Sequence, residues 1–248
     1  MDLELAGRTA VVIGGSSGIG AATAVVLAEE GCDVAVTYRS GRDGAEEAAR
    51  AVRAEGRRTW VAELDLADVA GVGARARALA DEVGGLDVVV LCAGRNVVTP
   101  VAEISPQEWA TVLDVNLGGA FFALQALAPA VRPGGSVVTV ASVAAHTGAP
   151  HHAHYAAAKA GLVNLTKSLA RELAPHVRVN CVAPGITLTE MGQQAIDNLA
   201  PDYAEKNLWL QRYATPRRIA QVVTVVASPV SEFMTGATID VNSGRLAR

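Results

Sequence analysis

Short apolar runs rich in valine, leucine and isoleucine recur along the chain, separated by longer amphipathic stretches. Runs of this kind are typical of strands that are buried on both faces of a parallel sheet. We predict strands at 9–13, 33–37, 59–64, 86–91, 137–140, 177–182 and 238–241. The stretches between them predict helices, including 21–30, 44–55, 106–127 and 155–173.

Strands that alternate with helices indicate βαβ units, a parallel sheet and right-handed crossovers. The sequence therefore predicts an α/β fold with a doubly wound parallel sheet of about seven strands and helices on both faces. No repeat or linker interrupts the pattern, so we expect one domain over residues 1–248. The segment 186–213 breaks the rhythm and contains Met191, Trp209 and Tyr213. It predicts a lid over a substrate, or alternatively an ordinary pair of surface helices.

Composition narrows the class of protein. The chain is 50% hydrophobic and 19% charged, with a formal net charge of -4 and no block of like charges, which argues against nucleic acid as the partner. Uninterrupted apolar runs fall short of the ~20 residues of a membrane helix, and the first residues do not resemble a signal peptide. Three cysteines without a C-x-x-C pair indicate reduced thiols and a cytoplasmic protein.

A glycine-rich loop follows the first strand. Gly14-x-x-x-Gly18-Ile19-Gly20 lies between that strand and the next helix. Glycines permit positive φ and close backbone approach, and a helix amino terminus offers free N–H groups to a pyrophosphate. The loop predicts a dinucleotide site, although its spacing differs from the common G-x-G-x-x-G.

Tyr155 and Lys159 are four residues apart and would share one face of a helix. Ser142 would lie just past the carboxyl end of the fifth strand, where open α/β sheets bind ligands. A neighbouring ammonium favours a phenolate, so we expect Lys159 to lower the pKa of Tyr155 and to permit proton transfer. The alternative is a chance Y-x-x-x-K on a surface helix.

Taken together, these motifs resemble those of the short-chain dehydrogenase/reductase family, over nearly the whole chain. The closest subgroup is that of 3-oxoacyl-(acyl-carrier-protein) reductases and related ketone reductases. The resemblance implies a Rossmann-type fold and catalytic roles for Asn116, Ser142, Tyr155 and Lys159. It also implies a set of NADP(H)-binding residues: Gly14, Ser16, Ser17, Gly18, Ile19, Gly20, Tyr38, Arg39, Ser40, Asp65, Leu66, Ala93, Gly94, Tyr155, Lys159, Pro184, Gly185, Ile186 and Thr187.

The reaction that this family catalyses implies hydride transfer to a ketone, such as a β-keto acyl group, with Tyr155 as proton donor. Ser142 would bind the same oxygen, Lys159 would hold the nicotinamide ribose, and Asn116 would anchor a water. Two alternatives stay open: an alcohol dehydrogenase acting in the oxidative direction, and a non-catalytic NADP-binding regulator. The resemblance also implies a homotetramer and a small-molecule substrate that is a ketone or an acyl thioester.

NADPH is expected rather than NADH because the second strand ends at Tyr38, Arg39 and Ser40, without the acid that binds a ribose 2′-hydroxyl. Asp33 comes too early, at the beginning of the strand. Arg39 can pair with a 2′-phosphate, and the alternative is a solvated turn arginine.

The chain departs from the family in places. Ile13 and Cys92 replace a threonine and an asparagine that pair in the family, and we expect the two side chains to be buried in mutual contact, with Cys92 unreactive.

Stretches 129–133 and 174–176 hold one arginine and one histidine, a poor docking site for an acidic carrier protein. His151, His152 and His154 lack partners for a metal site, so no metal is expected, and we place them at the substrate mouth or in solvent.

Overall fold

A computed structural model describes residues 2–247. Its seven strands form one parallel sheet in the order β3-β2-β1-β4-β5-β6-β7. The strands are β1 (Thr9–Ile13), β2 (Asp33–Tyr38), β3 (Thr59–Glu63), β4 (Leu86–Leu91), β5 (Val131–Val140), β6 (Val177–Pro184) and β7 (Thr238–Val241). The predicted doubly wound parallel sheet is confirmed.

Helices cover both faces of the sheet. They are α1 (Gly18–Glu29), α2 (Arg42–Ala54), α3 (Val72–Val83), α4 (Pro106–Leu113), α5 (Gly119–Leu127), α6 (Ala144–Thr147), α7 (Ala153–Leu173), α8 (Glu190–Ile196), α9 (Tyr203–Asn207) and α10 (Pro216–Ala227). One core layer packs α3, α5 and α7 against residues such as Val11, Val89 and Val179. The other packs α1, α2 and α10 against residues such as Val12 and Val90.

The strand order reverses at the centre of the sheet. β1 pairs with β2 on one side and with β4 on the other, so successive crossovers diverge from this point. In such sheets the connections after the two central strands leave a crevice at their carboxyl ends, and ligands bind there. The fold therefore predicts that a ligand binds among the loops after β1, β4, β5 and β6.

The predicted helix 106–127 is interrupted. A π-helical turn, Asp114–Gly118, separates α4 from α5. The run Pro106–Ala130 has the length and hydropathy of a membrane-crossing helix, but half of its apolar 18-residue window is buried inside the protein. Val115, Ala120 and Leu124 belong to the core beneath the sheet, which accounts for the apolar composition of this run.

Asp33 lies at the amino end of β2, as its sequence position indicates, and far along the strand from Tyr38. Its carboxylate accepts hydrogen bonds from the backbone and side chain of Arg58 and pairs with Arg57 at 3.4 Å. Burial opposes ionisation, yet the hydrogen bonds from Arg58 prevail and hold the pKa of Asp33 below its usual value. Asp33 thus ties β2 to the segment before β3.

The expected contact between Ile13 and Cys92 is wrong. The Cys92 amide donates to the Ile13 carbonyl at 2.9 Å, but the side chains enter different core layers. Ile13 lies opposite Leu91, and successive side chains of a strand alternate between faces, so Cys92 points to the α1 side. There its thiol interacts with Thr23, and burial raises the pKa of Cys92 to about 12, which fits an unreactive thiol.

Candidate active site

The loop after β1 brings backbone N–H groups to the central crevice. Gly14 has φ +79°, and a Cβ there would lie 2.6 Å from the Ala93 Cα atom. A Cβ on Gly20 would lie 2.1 Å from the Gly14 carbonyl oxygen. Ser17, the N-cap of α1, makes no side-chain capping bond, so the first N–H groups of this helix are open to an anionic ligand. The loop fits a dinucleotide pyrophosphate.

The turn after β2 adjoins this loop. The Gly15 amide donates to the Thr37 carbonyl at 2.9 Å, and the Gly14 amide donates to the Thr37 hydroxyl at 3.2 Å. A Cβ on Gly44, in the first turn of α2, would lie 2.2 Å from the Ser16 carbonyl oxygen. Arg39 and Ser40 are exposed in the turn between these contacts. The structure thus places a cation and a hydroxyl beside the glycine loop.

Two further turns line the same crevice. After β3, the Asp65 carboxylate accepts from the Ala67 amide at 2.8 Å, and the Leu66 carbonyl packs against Gly119. After β4, Ala93 packs against Gly14, which joins the turn to the glycine loop. The residues expected to bind the cofactor in these turns lie together at one edge of the sheet.

Ser142, Tyr155 and Lys159 converge beyond the end of β5. The Tyr155 phenol interacts with the Ser142 side chain, whose hydroxyl accepts from the Ala144 amide at 3.2 Å. The Lys159 ammonium is buried and donates to the Val140 carbonyl at 2.9 Å. Its nitrogen lies 5.8 Å from the centroid of the Tyr155 ring.

The expected lowering of the tyrosine pKa is not what the structure shows. Burial raises the pKa of Tyr155, and the interaction with Ser142 offsets only part of the rise. Burial also lowers the pKa of Lys159 to about 8, although the thiols of Cys181 and Cys92 oppose that change. Loss of hydration is thus the largest cause of both shifts, because it disfavours the charged form of each group.

Asn116 lies in the π-helical turn, a feature that often marks functional sites. Its amide group donates to the Val112 and Arg95 carbonyls, both at 2.8 Å, and its oxygen accepts from the Arg95 amide at 3.2 Å. A Cβ on Gly94 would lie 2.9 Å from that oxygen and 3.3 Å from the Lys159 nitrogen. Asn116 thus holds the loop after β4 against the helical turn, within reach of the Lys159 region.

The end of β6 closes the other side of the crevice. The Gly185 amide donates to the Val241 carbonyl at 2.9 Å, and the Thr187 hydroxyl donates to the Gly185 carbonyl at 3.1 Å. The Pro184 carbonyl accepts a hydrogen bond from the Val143 amide, which joins the end of β6 to the segment after β5. Ile186 lies between Gly185 and Thr187 in this turn. A Cβ on Gly18 would lie 3.1 Å from the Thr189 methyl group, so the segment after β6 contacts the glycine loop.

The histidines before Tyr155 are divided. His151 is exposed, and His152 is half-buried with Nδ1 at 2.8 Å from the Asn96 side-chain oxygen. His154 is fully buried and contacts Glu108 at 3.0 Å, so for this residue the expectation of a mouth or solvent position is wrong. The glutamate lies 46 residues away, and no local spacing signals such a pair. Between residues 2 and 247, no group of three or more His, Cys, Asp or Glu side chains is arranged to hold a metal.

Comparisons with known proteins agree with this geometry. A family model described as enoyl-(acyl carrier protein) reductase matches residues 13–245. A 3-oxoacyl-[acyl-carrier-protein] reductase of Staphylococcus aureus is 36% identical over 240 residues, which cover 96% of this chain and 97% of the relative. A D-threitol dehydrogenase of Mycolicibacterium smegmatis is 35% identical over 98% of this chain and 94% of its own length.

Solved structures are also similar. A short-chain dehydrogenase/reductase of Brucella melitensis has a TM-score of 0.93 at 33% identity, with all of both chains covered. A short-chain dehydrogenase of Burkholderia cenocepacia, solved in complex with NADP, has a TM-score of 0.92 at 33% identity and covers 98% of this chain and 99% of its own.

The fold and the crevice define a nicotinamide-dependent oxidoreductase that acts on CH–OH or C=O groups. The chain belongs to the short-chain dehydrogenase/reductase family, close to the 3-oxoacyl-[acyl-carrier-protein] reductases.

The glycine loop provides a prediction. In Gly20→Ala the new methyl group would overlap the Gly14 carbonyl and displace the loop. We expect the affinity for NADH and NADPH to fall at least about ten-fold, measured by calorimetric titration; that loss equals about 1.4 kcal/mol. Gly73→Ala in α3 is the control, because its Cβ would make only an ordinary 3.6 Å contact. Unchanged affinity in Gly20→Ala would contradict the assignment of this loop.

Proposed function

We propose that the chain reduces a ketone, a β-keto acyl group or a related carbonyl, to a secondary alcohol with NADPH. The observation that carries the proposal is that Ser142, Tyr155 and the buried Lys159 converge at the carboxyl end of the central strands, with the Lys159 nitrogen 5.8 Å from the centroid of the Tyr155 ring. A hydroxyl and a phenol there can both donate to one carbonyl oxygen. The similarity to 3-oxoacyl-[acyl-carrier-protein] reductases supports the same reaction.

The residues divide the chemistry between them. The bound nicotinamide supplies the hydride that adds to the carbonyl carbon. Tyr155 donates its phenolic proton to the carbonyl oxygen, and Ser142 stabilises the negative charge that develops on that oxygen. The raised pKa of Tyr155 keeps the phenol protonated at neutral pH, as a proton donor requires.

Lys159 returns a proton to the phenolate and holds the nicotinamide ribose. Its pKa of about 8 lets the ammonium give up a proton near neutral pH. Asn116 and Lys159 both adjoin Gly94, which supports a role for Asn116 in anchoring a water that resupplies Lys159. Asn116 acts here without contact to the substrate.

A small ketone or acyl thioester fits the surface better than a substrate presented on an acidic carrier protein. Arg132, the one arginine of the stretch 129–133, already pairs with Asp87 at 2.8 Å and donates to the Gly84 carbonyl. Engaged in this way, it offers little charge to an approaching carrier.

Oxidation of an alcohol is the second candidate. The relative named as a D-threitol dehydrogenase favours it. The same Tyr155 would then act as a base, and its raised pKa places that activity at higher pH, where the phenolate is more abundant. A non-catalytic NADP-binding regulator would not need the phenol of Tyr155 beside Ser142 and Lys159, and both Tyr155 and Lys159 are present here.

For the cofactor we propose NADPH, with its 2′-phosphate bound by Arg39 and Ser40 and the adenine near Asp65 and Leu66. The exposed turn beside the glycine loop contains this cation, and Asp33 is committed to Arg57 and Arg58 at the opposite end of β2. The NADP complex of the Burkholderia relative supports the choice.

The remaining proposals concern the whole molecule. We propose a single domain, in which 186–213, comprising α8 and α9, is a lid that is joined to the body by the bridge between Thr187 and Ala214. We propose a homotetramer in the cytoplasm, without nucleic acid or membrane partners; the free state of Cys32, Cys92 and Cys181 supports this compartment.

The reaction is tested by following NADPH absorbance against a panel of ketones that includes β-keto thioesters on small and protein carriers. We expect turnover of at least one ketone, and a fall of about 10²–10⁴-fold in Tyr155→Phe because the proton donor is lost. NADPH affinity should stay nearly unchanged in this variant. Turnover above half the parent value, with hydride transfer shown to limit the rate, would remove Tyr155 from its role.

The cofactor assignment is tested with Arg39→Ala. Loss of the charge-assisted bonds to the 2′-phosphate should weaken NADPH binding about ten-fold or more and leave NADH nearly unaffected. The exposed Arg42→Ala, in the first turn of α2, is the control. An unchanged preference for NADPH over NADH in Arg39→Ala would refute the assignment.

Assembly is tested by light scattering at micromolar concentration, where we expect the mass of four chains. Trp109 and Phe122 are large apolar side chains exposed on α4 and α5, and a partner chain that covered them would remove apolar surface from water. A monomeric mass would refute the tetramer.

A further inference from the structure

The first turn of α7 contains a buried histidine, directly before Tyr155, that is hydrogen-bonded to a carboxylate. His154 is fully buried, and its Nε2 lies 3.0 Å from Oε1 of Glu108 on α4. Its Nδ1 lies 3.0 Å from the Tyr155 amide nitrogen, which donates to it. Both ring nitrogens are therefore engaged, one with the backbone of Tyr155 and one with a carboxylate.

These contacts determine which nitrogen of the His154 ring carries the hydrogen. An N–H group donates to Nδ1, so Nδ1 carries no hydrogen and the imidazole is neutral. The hydrogen is on Nε2 and donates to the Glu108 carboxylate. The result is a continuous chain of hydrogen bonds from the Tyr155 amide through the imidazole to α4.

The Tyr155 amide needs such an acceptor. The first N–H groups of a helix have no partner within the helix, and His152 at the N-cap of α7 supplies no side-chain cap. His154 fills this role from inside the first turn. The backbone that carries the phenol is thus held by a side chain that is itself anchored outside α7.

Glu108 is a fixed anchor. It lies in the first turn of α4, where its amide donates to the Ser105 hydroxyl at 3.1 Å, the arrangement of an N-terminal cap. α4 runs directly into the π-helical turn that holds Asn116. The pair therefore connects the start of the helix that carries Tyr155 and Lys159 to the helical run that carries Asn116.

We propose that His154 and Glu108 are a positioning pair that sets the place of the Tyr155 phenol relative to Ser142. The pair touches neither substrate nor cofactor and acts through the backbone of Tyr155. This inference rests on the proposed ketone reduction, in which Tyr155 is the proton donor. A misplacement of about 1 Å at a reacting group can cost about 10²-fold in rate, so a loosened first turn should be visible in kcat.

The test uses variants that separate the two contacts. His154→Asn keeps an acceptor near the position of Nδ1 but cannot reach Glu108, whereas Glu108→Ala removes the anchor and leaves the imidazole. Glu108→Gln retains an acceptor oxygen for Nε2–H. Glu103→Ala is the matched control, because Glu103 is an exposed glutamate in the turn before α4.

The kinetic readouts are kcat, KM and NADPH affinity with a ketone that the parent reduces. We expect kcat to fall about 10- to 100-fold in His154→Asn and in Glu108→Ala, with NADPH affinity within about two-fold of the parent. The double variant should lose no more than the larger single loss, because either change breaks the same connection. Glu108→Gln should recover most of kcat, and Glu103→Ala should match the parent.

Amide hydrogen exchange of the peptide 152–158 provides a second readout that needs no substrate. We expect faster exchange of the Tyr155 amide in Glu108→Ala than in the parent and in Glu103→Ala. If kcat stays within two-fold of the parent while Tyr155→Phe abolishes turnover, the positioning role is overturned. If the parent reduces no ketone, the proposed function fails, and exchange alone decides the pair: faster exchange supports it and unchanged exchange overturns it.

Discussion

The reversal of strand order between β1 and β4 is the constraint on which the rest of this molecule depends. A parallel sheet sends the carboxyl ends of all its strands to one edge, and the reversal parts the crossovers at its centre. The glycine loop after β1 and the Ala93-Gly94 turn after β4 meet in that gap, as the contact between Gly14 and Ala93 shows. Groups more than 70 residues apart in sequence become neighbours because the backbone pairing of two strands requires it.

Burial then determines the chemistry of the side chains that enter the crevice. Lys159 is withdrawn from water and keeps one strong hydrogen bond, to the Val140 carbonyl, so its ammonium is easier to deprotonate than in solution. Tyr155 is harder to ionise for the same reason, although Ser142 offsets part of the effect. A protonated phenol beside a readily deprotonated amine suits the delivery of a proton to a carbonyl oxygen and its later replacement.

Such a site needs rigid support, and two polar contacts at α4 and its continuation provide it. The Asn116 side chain donates to the Val112 carbonyl and to the Arg95 carbonyl, and so ties the π-helical turn to the loop after β4. Glu108 holds His154 and, through it, the amide of Tyr155. Buried polar groups of this kind are costly to leave unpaired, so each bond also disfavours alternative positions of the loops and helices that it joins.

The sequence by itself determined the features that depend on local pattern. Apolar runs placed β1 and β4 with the bounds observed, because strands buried on both faces are largely apolar. The half-buried β7 was also placed with its observed bounds, although it contains Thr238 and Asp240. Helical spacing placed Tyr155 and Lys159 on one face, and the glycines marked the phosphate-binding turn. The tertiary structure alone decided which face Cys92 occupies, where the helix after Pro106 is broken, that His154 pairs with Glu108, and in which direction the pKa of Tyr155 moves. Each of these depends on loss of water and on partners distant in sequence, which the spacing of residues along the chain does not encode.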